Sequence, residues 1–376
     1  MRLFVRHYFE ELPVALDSKG LSILHEIGAH HVFGNAIKKL RFSIYSLFPP
    51  GPVRGKIWEL SEETQKFITD GAFGLQVYGG LSQLPKCTSI SLEFTRSYVG
   101  RKLDVAFDDI DPCLLVRPAY MDISDAFIEL HGLLAVAEDL HIEELIVEHN
   151  YRAFVDVEQL AVAIPPRHSP CSGLCNLKVL KVRLTDKTSH DLGDIQPTPE
   201  AIKRAKERGQ AFENLMKSMP NVEVLHLDLH ASNSTAWIIT NYGPYIRELV
   251  LEEPTPLMQL ECGGPQSFAE SLKRSPNLAV LRFPILTVEM GRWPWESLVD
   301  QTAFLLEHLA QVESLRKVEL GDALVWGEPL CLIEGCTLGS RYRAKPKTWV
   351  SEDPQRDLLR WASLAHTHLY KPGERA

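Results

Sequence analysis

The stretch Ile142-Glu143-Glu144-Leu145-Ile146-Val147-Glu148-His149-Asn150 places apolar anchors at Ile142, Leu145 and Val147 and an asparagine at Asn150. Leu145 and Val147 alternate with one residue between them, as a half-buried strand requires. Ile142, three residues earlier, closes the same core from the incoming turn. The spacing recurs as Ile37-Leu40-Phe42, Cys87-Ile90-Leu92, Leu177-Leu180-Val182 and Val222-Leu225-Leu227. It continues as Ile246-Leu249-Leu251, Leu278-Leu281-Phe283 and Leu315-Val318-Leu320. The mean step is about 40 residues, within the range of repeat architectures, although individual steps are uneven.

Helical spacing fills the intervals, with apolar residues three or four apart. Examples are Leu21, Leu24 and Ile27, then Phe127, Leu130, Leu133 and Leu134, and the stretches Ala201–Met216, Phe268–Leu272 and Leu298–Leu309. Thr198-Pro199 offers an N-cap and first-turn proline, and Ser267-Phe268-Ala269-Glu270 a capping box. Ser218-Met219-Pro220-Asn221 and Ser275-Pro276-Asn277 stop a helix just before the next strand, and Leu84-Pro85-Lys86 is a looser version.

The chain therefore reads helix, turn, strand, about eight times. A unit of this kind cannot cover its own apolar face, and stacking on its neighbours makes one core. The expected class is α/β, with a curved parallel sheet and helices on the convex side. The expected organisation is a repeat domain over residues 1–330 and a C-terminal capping segment over 331–376, closed by a helix carrying Leu358, Leu359, Trp361 and Leu364. The competing reading is a non-repetitive α/β domain in which these matches arise by chance.

The strand units resemble leucine-rich repeats with a Leu-x-x-Leu-x-Leu-x-x-Asn consensus. Only the Ile142 unit carries its asparagine; the others have Tyr45, Thr95, Thr185, His230, Pro254, Leu286 and Ala323 there, so the repeats are irregular. The stretches Leu21–Ile27, Ile37–Phe42, Leu81–Cys87 and Phe212–Asn221 look like the repeat portion of F-box proteins from filamentous fungi, over roughly residues 1–330. That resemblance implies a substrate receptor of a ubiquitin ligase. The F-box module itself is not visible: Leu12-Pro13 is followed by Val14-Ala15-Leu16-Asp17. A Skp-type adaptor is implied only if an F-box lies upstream.

In these units the residue between the last two anchors, and the residue after them, point to the open face. The expected protein-interaction residues are Arg41, Glu93, Glu148, Lys181, Arg183, His226, Asp228, Glu252 and Arg282. Ser43, Ser91, Ile146, Val250, Pro284, Glu319 and Gly321 share that face. Trp293 and Trp295, in a long connection, add a candidate hot spot. The face has mixed charge, whereas a nucleic-acid groove would be basic.

The 376 residues include 45% hydrophobic and 24% charged side chains, which excludes wholesale disorder. The net charge of −9 argues against a general polyanion surface. Seven cysteines without a secretory start point to reduced thiols and a cytoplasmic or nuclear location. The sequon at Asn233 is read as chance, and no membrane partner is expected. Phosphate-loop, dinucleotide and nucleophile-elbow motifs are missing from the sequence. Cys171 with Cys175, and Cys331 with Cys336, lack zinc spacing. Arg341-Tyr342-Arg343-Ala344-Lys345-Pro346-Lys347 reads as a solvated loop. The sequence thus favours a non-catalytic recognition scaffold, with no cofactor, metal or catalytic residue assigned. The alternative is a hydrolase or transferase on a non-repeat α/β fold, with a cysteine working beside His149 or His226.

Overall fold

The structure, a computed structural model, describes residues 9–47, 57–58, 62–97, 120–147, 153–164, 171–185, 210, 212–230, 245–252, 270, 272–288, 303–325, 328–329 and 349–369. The chain divides into two compact units. One comprises Met1–Lys187 with Asn214–Asn221, the other Thr188–Glu213 with Val222–Ala376.

The first unit contains β1 (Glu11–Ala15), β2 (Lys39–Leu47), β3 (Ile57–Trp58), β4 (Ser89–Ser97), β5 (Tyr120–Asp122), β6 (Glu144–Val147), β7 (Ala153–Asp156) and β8 (Val179–Thr185). Its helices are α1 (Ser18–Ala29), α2 (His31–Gly34), α3 (Glu62–Thr69), α4 (Ala72–Leu81), α5 (Ser124–Val136) and α6 (Val157–Ala163), with a 3-10 turn at Ser172–Asn176. Strands β1, β2, β4, β6 and β8 are parallel, each beside the preceding member of this series. Leu12, Leu40, Ile90, Leu145 and Leu180 stand in one register row, and Val14, Phe42, Leu92 and Val147 in the next. This follows from the period of two: a slip by one residue would turn each strand's apolar set toward water.

A second feature repeats at the start of each strand. The carbonyl of Glu10 accepts from the amides of Lys38 and Lys39, that of Lys38 from Thr88 and Ser89, that of Thr88 from Glu143 and Glu144, and that of Glu143 from Lys178 and Val179. One carbonyl per unit thus holds the next two amides and fixes the step between neighbours. The incoming turn is also shared: Cys87 N donates to Leu84 O, and Leu177 N to Leu174 O.

The short strands β3, β5 and β7 form a second parallel series, and β7 also pairs with β8 through Val155 and Leu184. Asp122, Ser124 and Asp156 are buried where these strands give way to helices. Asp122 accepts from the Ser124 amide at 3.0 Å and from its hydroxyl, and Ser124 Oγ accepts from the Asp156 amide at 2.7 Å. Asp156 in turn caps α6, and Asp17 caps α1 through the Gly20 amide. These short side chains satisfy amides that a helix start leaves without intrahelical partners. Gly20 is required for packing, because a Cβ there would run into the Ala15 carbonyl.

The second unit contains β9 (Val224–His230), β10 (Glu248–Glu252), β11 (Val280–Val288) and β12 (Lys317–Val325), parallel and in chain order. Leu225, Leu249, Leu281 and Val318 form its register row. The carbonyl ladder recurs: Glu223 O accepts from Arg247 and Glu248, Arg247 O from Ala279 and Val280, and Ala279 O from Arg316 and Lys317. Helical residues 303–309 bury Ala303, Leu305, Leu306 and Leu309 beneath it. Two antiparallel strands, β13 (Glu328–Pro329) and β14 (Trp349–Ser351), lie along β12, and a helix follows at Pro354–Leu369.

The fold is thus mixed α/β with mostly parallel strands. Every anchor residue of the eight sequence units is buried, none more than 5% exposed. The helices expected around Leu21–Ile27 and Phe127–Leu134 are α1 and α5, and the expected terminal helix is Pro354–Leu369. Thr198, Pro199, Ser267, Phe268 and Ala269 lie outside the described residues.

Candidate recognition face

The side of each sheet opposite the anchors carries the alternate strand residues. In the first unit, Glu11, Lys39, Arg41, Ser91, Glu93, Ile146 and Lys181 share this phase. In the second, Val224, His226, Glu248, Val250, Val280, Arg282, Lys317 and Glu319 do.

Arg41 is the organising cation of the first face. Its guanidinium lies 3.0 Å from Glu11 on β1 and 3.1 Å from Glu93 on β4. Two of the expected face residues, Arg41 and Glu93, are therefore brought together. Arg282 plays the same part in the second unit, 3.1 Å from Glu248 on β10 and 3.8 Å from Glu319 on β12. Glu11 and Glu248 were not among the expected residues. The signal for Glu248 was present in the sequence, since it sits one residue before the second anchor Leu249, whereas Glu11 lies on a strand that no sequence unit covered. A further series links the residues that follow the first anchors: Lys38 to Glu10 at 2.6 Å, Lys178 to Glu143 at 2.9 Å and Arg247 to Glu223 at 4.0 Å.

Lys181 and His226 are partly accessible on this face. Arg183 corrects the expectation that every residue of this phase is open to solvent: it is only 4% exposed. Ser43, Ser91 and Val250 are likewise buried. For Ser91 the reason is visible in the register: this short side chain stands directly between Arg41 and Ile146, which shade it. Asp228 and Glu252 lie in β9 and β10, but only their backbones are described. Glu148, His149, Asn150, Trp293, Trp295, Cys331, Cys336, Asn233 and residues 341–347 lie outside the described residues.

His131 Nε2 and Ser218 Oγ are 2.8 Å apart and both side chains are buried. Ser218 spends its single proton on the Leu215 carbonyl, 2.6 Å away. His131 must therefore donate and Ser218 accept, the reverse of nucleophile activation. Nearby, a depression of about 180 Å³ is lined by Ile128, Glu129, His131, Gly132, Leu133, Ala163 and Ile164. Burial pushes the Cys87 thiol up to about 12, so it is not a thiolate nucleophile near neutral pH. Cys175 Sγ donates to the Cys171 carbonyl, and both cysteines are free thiols. Among the described residues, no three metal-ligating side chains cluster, and no helix is long and apolar enough to cross a membrane.

No family model matches the chain, and no curated protein matches it. Among solved structures, the crystal structure of a Bacteroides fragilis protein aligns over 74% of this chain and 69% of that one. The identity is 9% and the TM-score 0.33, a likeness that carries no argument.

Proposed function

We propose that the chain is a non-catalytic protein-recognition scaffold built as an irregular leucine-rich-repeat solenoid, with partners held on the open face of its strands. Three repeated features support the repeat reading: chain-order parallel strands, aligned anchor rows and a carbonyl ladder that recurs at each step.

The observation that carries the choice of partner is the pairing of Arg41 and Arg282 with carboxylates on adjacent strands. Cations already neutralised in place gain little from phosphate, whose binding draws on counterion release by uncommitted basic groups. A protein surface with its own alternating charges can exchange partners with such a ladder and be oriented by it. The narrower form of the proposal, a substrate receptor of a ubiquitin ligase, rests on the sequence resemblance.

Photo-crosslinking from single positions tests the scaffold reading. A crosslinker at Lys181 or Glu319 should trap a discrete protein partner in cells, and one at Leu75, exposed on α4, should not. Equal capture from both places, or capture from Leu75 alone, contradicts it. Co-elution of the purified chain with a Skp-type adaptor tests the narrower form.

A further inference from the structure

The outer edge of β12 is occupied by the chain's own C-terminal residues. Its inner edge holds β11. On the outer side β14 pairs with Val318–Leu320, and β13 with Leu324 and Val325. The helix Pro354–Leu369 anchors β14. The Trp349 and Trp361 rings meet edge to face at 6.4 Å, and Ser351 Oγ donates to Asp357 at 2.8 Å. Gln355 Nε2 donates to the carbonyls of Val312 and Leu315, and Leu358, Trp361 and Ala362 are buried. The register of β14 puts Glu352 opposite Lys317, and the two form an ion pair at 3.1 Å.

We propose that residues 349–362 form a strap that denies the outer edge of β12 to a second copy of the chain. An uncovered strand edge is a template for pairing. This one is also self-complementary. An antiparallel pair of β12 strands centred on Val318 sets Lys317 of each copy opposite Glu319 of the other, so a twofold axis matches both charges at once. In the intact chain Glu352 takes the position opposite Lys317 that Glu319 of a second copy would occupy. The strap contributes only three paired residues, so its hold comes from the buried side chains of the helix behind it. This proposal is independent of the recognition function and stands or falls separately.

Trp349→Pro in the full chain is the test, because Trp349 stands opposite Leu320, whose amide faces β14 since the Lys317 amide faces β11. Proline there removes an amide that faces β12, together with the ring that meets Trp361, while Ser351, Gln355 and Leu358 still hold the helix. Sedimentation equilibrium should show the mass rising with concentration toward twice the monomer. Amide exchange at Val318 and Leu320, whose N–H groups face the strap, should accelerate in dilute solution and slow again as copies pair. Adding Lys317→Glu sets like charges opposite each other and should weaken the dimer about tenfold. Trp361→Ala, which loosens the anchor instead, should give the same mass behaviour. A chain that stays monomeric in both single variants overturns the proposal, as does a dimer indifferent to Lys317→Glu.

Discussion

Arg282 Nη2 lies 3.1 Å from Glu248 Oε1, a residue two register positions upstream of Val250, the direct strand neighbour of Arg282. Arg41 and Glu11 repeat this diagonal on β2 and β1, where Pro13 is the direct neighbour. Two units of unlike sequence thus solve one problem alike: a cation next to the second anchor is neutralised from the preceding strand. Both arginine side chains remain more than a third exposed, so water screens the attraction. A double-mutant cycle with Arg282→Met and Glu248→Gln should return a coupling of about 0.5 kcal/mol in urea unfolding. A coupling of several kcal/mol would mean that the face is far drier than its exposure implies.

The anchor row should behave oppositely. Leu281 is fully buried between Leu249 and Val318 in register. Leu281→Ala leaves a cavity that neighbouring strands cannot close, and should cost about 2–5 kcal/mol. Arg282→Ala, one residue on, should cost less than about 1 kcal/mol. Equal losses in chemical unfolding would contradict the assignment of faces.

Cys87 gives a pH-dependent expectation. Burial raises its thiol from the ordinary thiol range to about 12, so the folded chain keeps this proton over a range where the unfolded chain releases it. With more protons bound to the native state, stability falls as pH rises through that interval. The contribution is fully present below about pH 8.5 and is lost progressively toward pH 12. Cys87→Ala should flatten this alkaline decline in unfolding midpoints measured from pH 8 upward. In the native protein at pH 8, Cys87 should also resist thiol reagents until the chain unfolds.

Much of the fold was legible because burial leaves a period. All eight three-anchor units are buried, and their strands align by those anchors. A ninth unit, with Leu12 and Val14 buried on β1, was obscured by Pro13 within it. The second series, β3, β5 and β7, was not legible, because two to four residues are too few to show alternation. The ten-residue α4 was hidden by its three glycines, Gly74, Gly79 and Gly80, which lower helix propensity. At Gly80 a Cβ would strike the Leu24 side chain of α1, so close helix packing outweighs propensity there. On the candidate face, strand phase identified Arg41 and Arg282, but phase alone could not reveal which neighbours shade a side chain. Arg183 is buried although it shares a phase with accessible Lys181 on β8, and Val250 although it pairs with accessible His226.

Pro13 itself supports the last prediction. The Leu16 amide donates to Ser43 O at 2.9 Å, so by strand alternation the amides of Val14 and Leu12 also face β2. The proline therefore falls in the opposite phase, on the edge of β1 that faces away from β2. A missing N–H there breaks no ladder bond among the described residues and removes a donor from any strand approaching from outside. Pro13→Val restores that donor and adds strand propensity without changing the buried pair Leu12 and Val14. The variant should fold with similar stability yet associate more readily, read as light scattering that grows with concentration on mild warming. If Pro13→Val instead stays as dispersed as the parent, the outward phase assigned to residue 13 confers no edge protection, and shielding of β1 must come from another part of the chain.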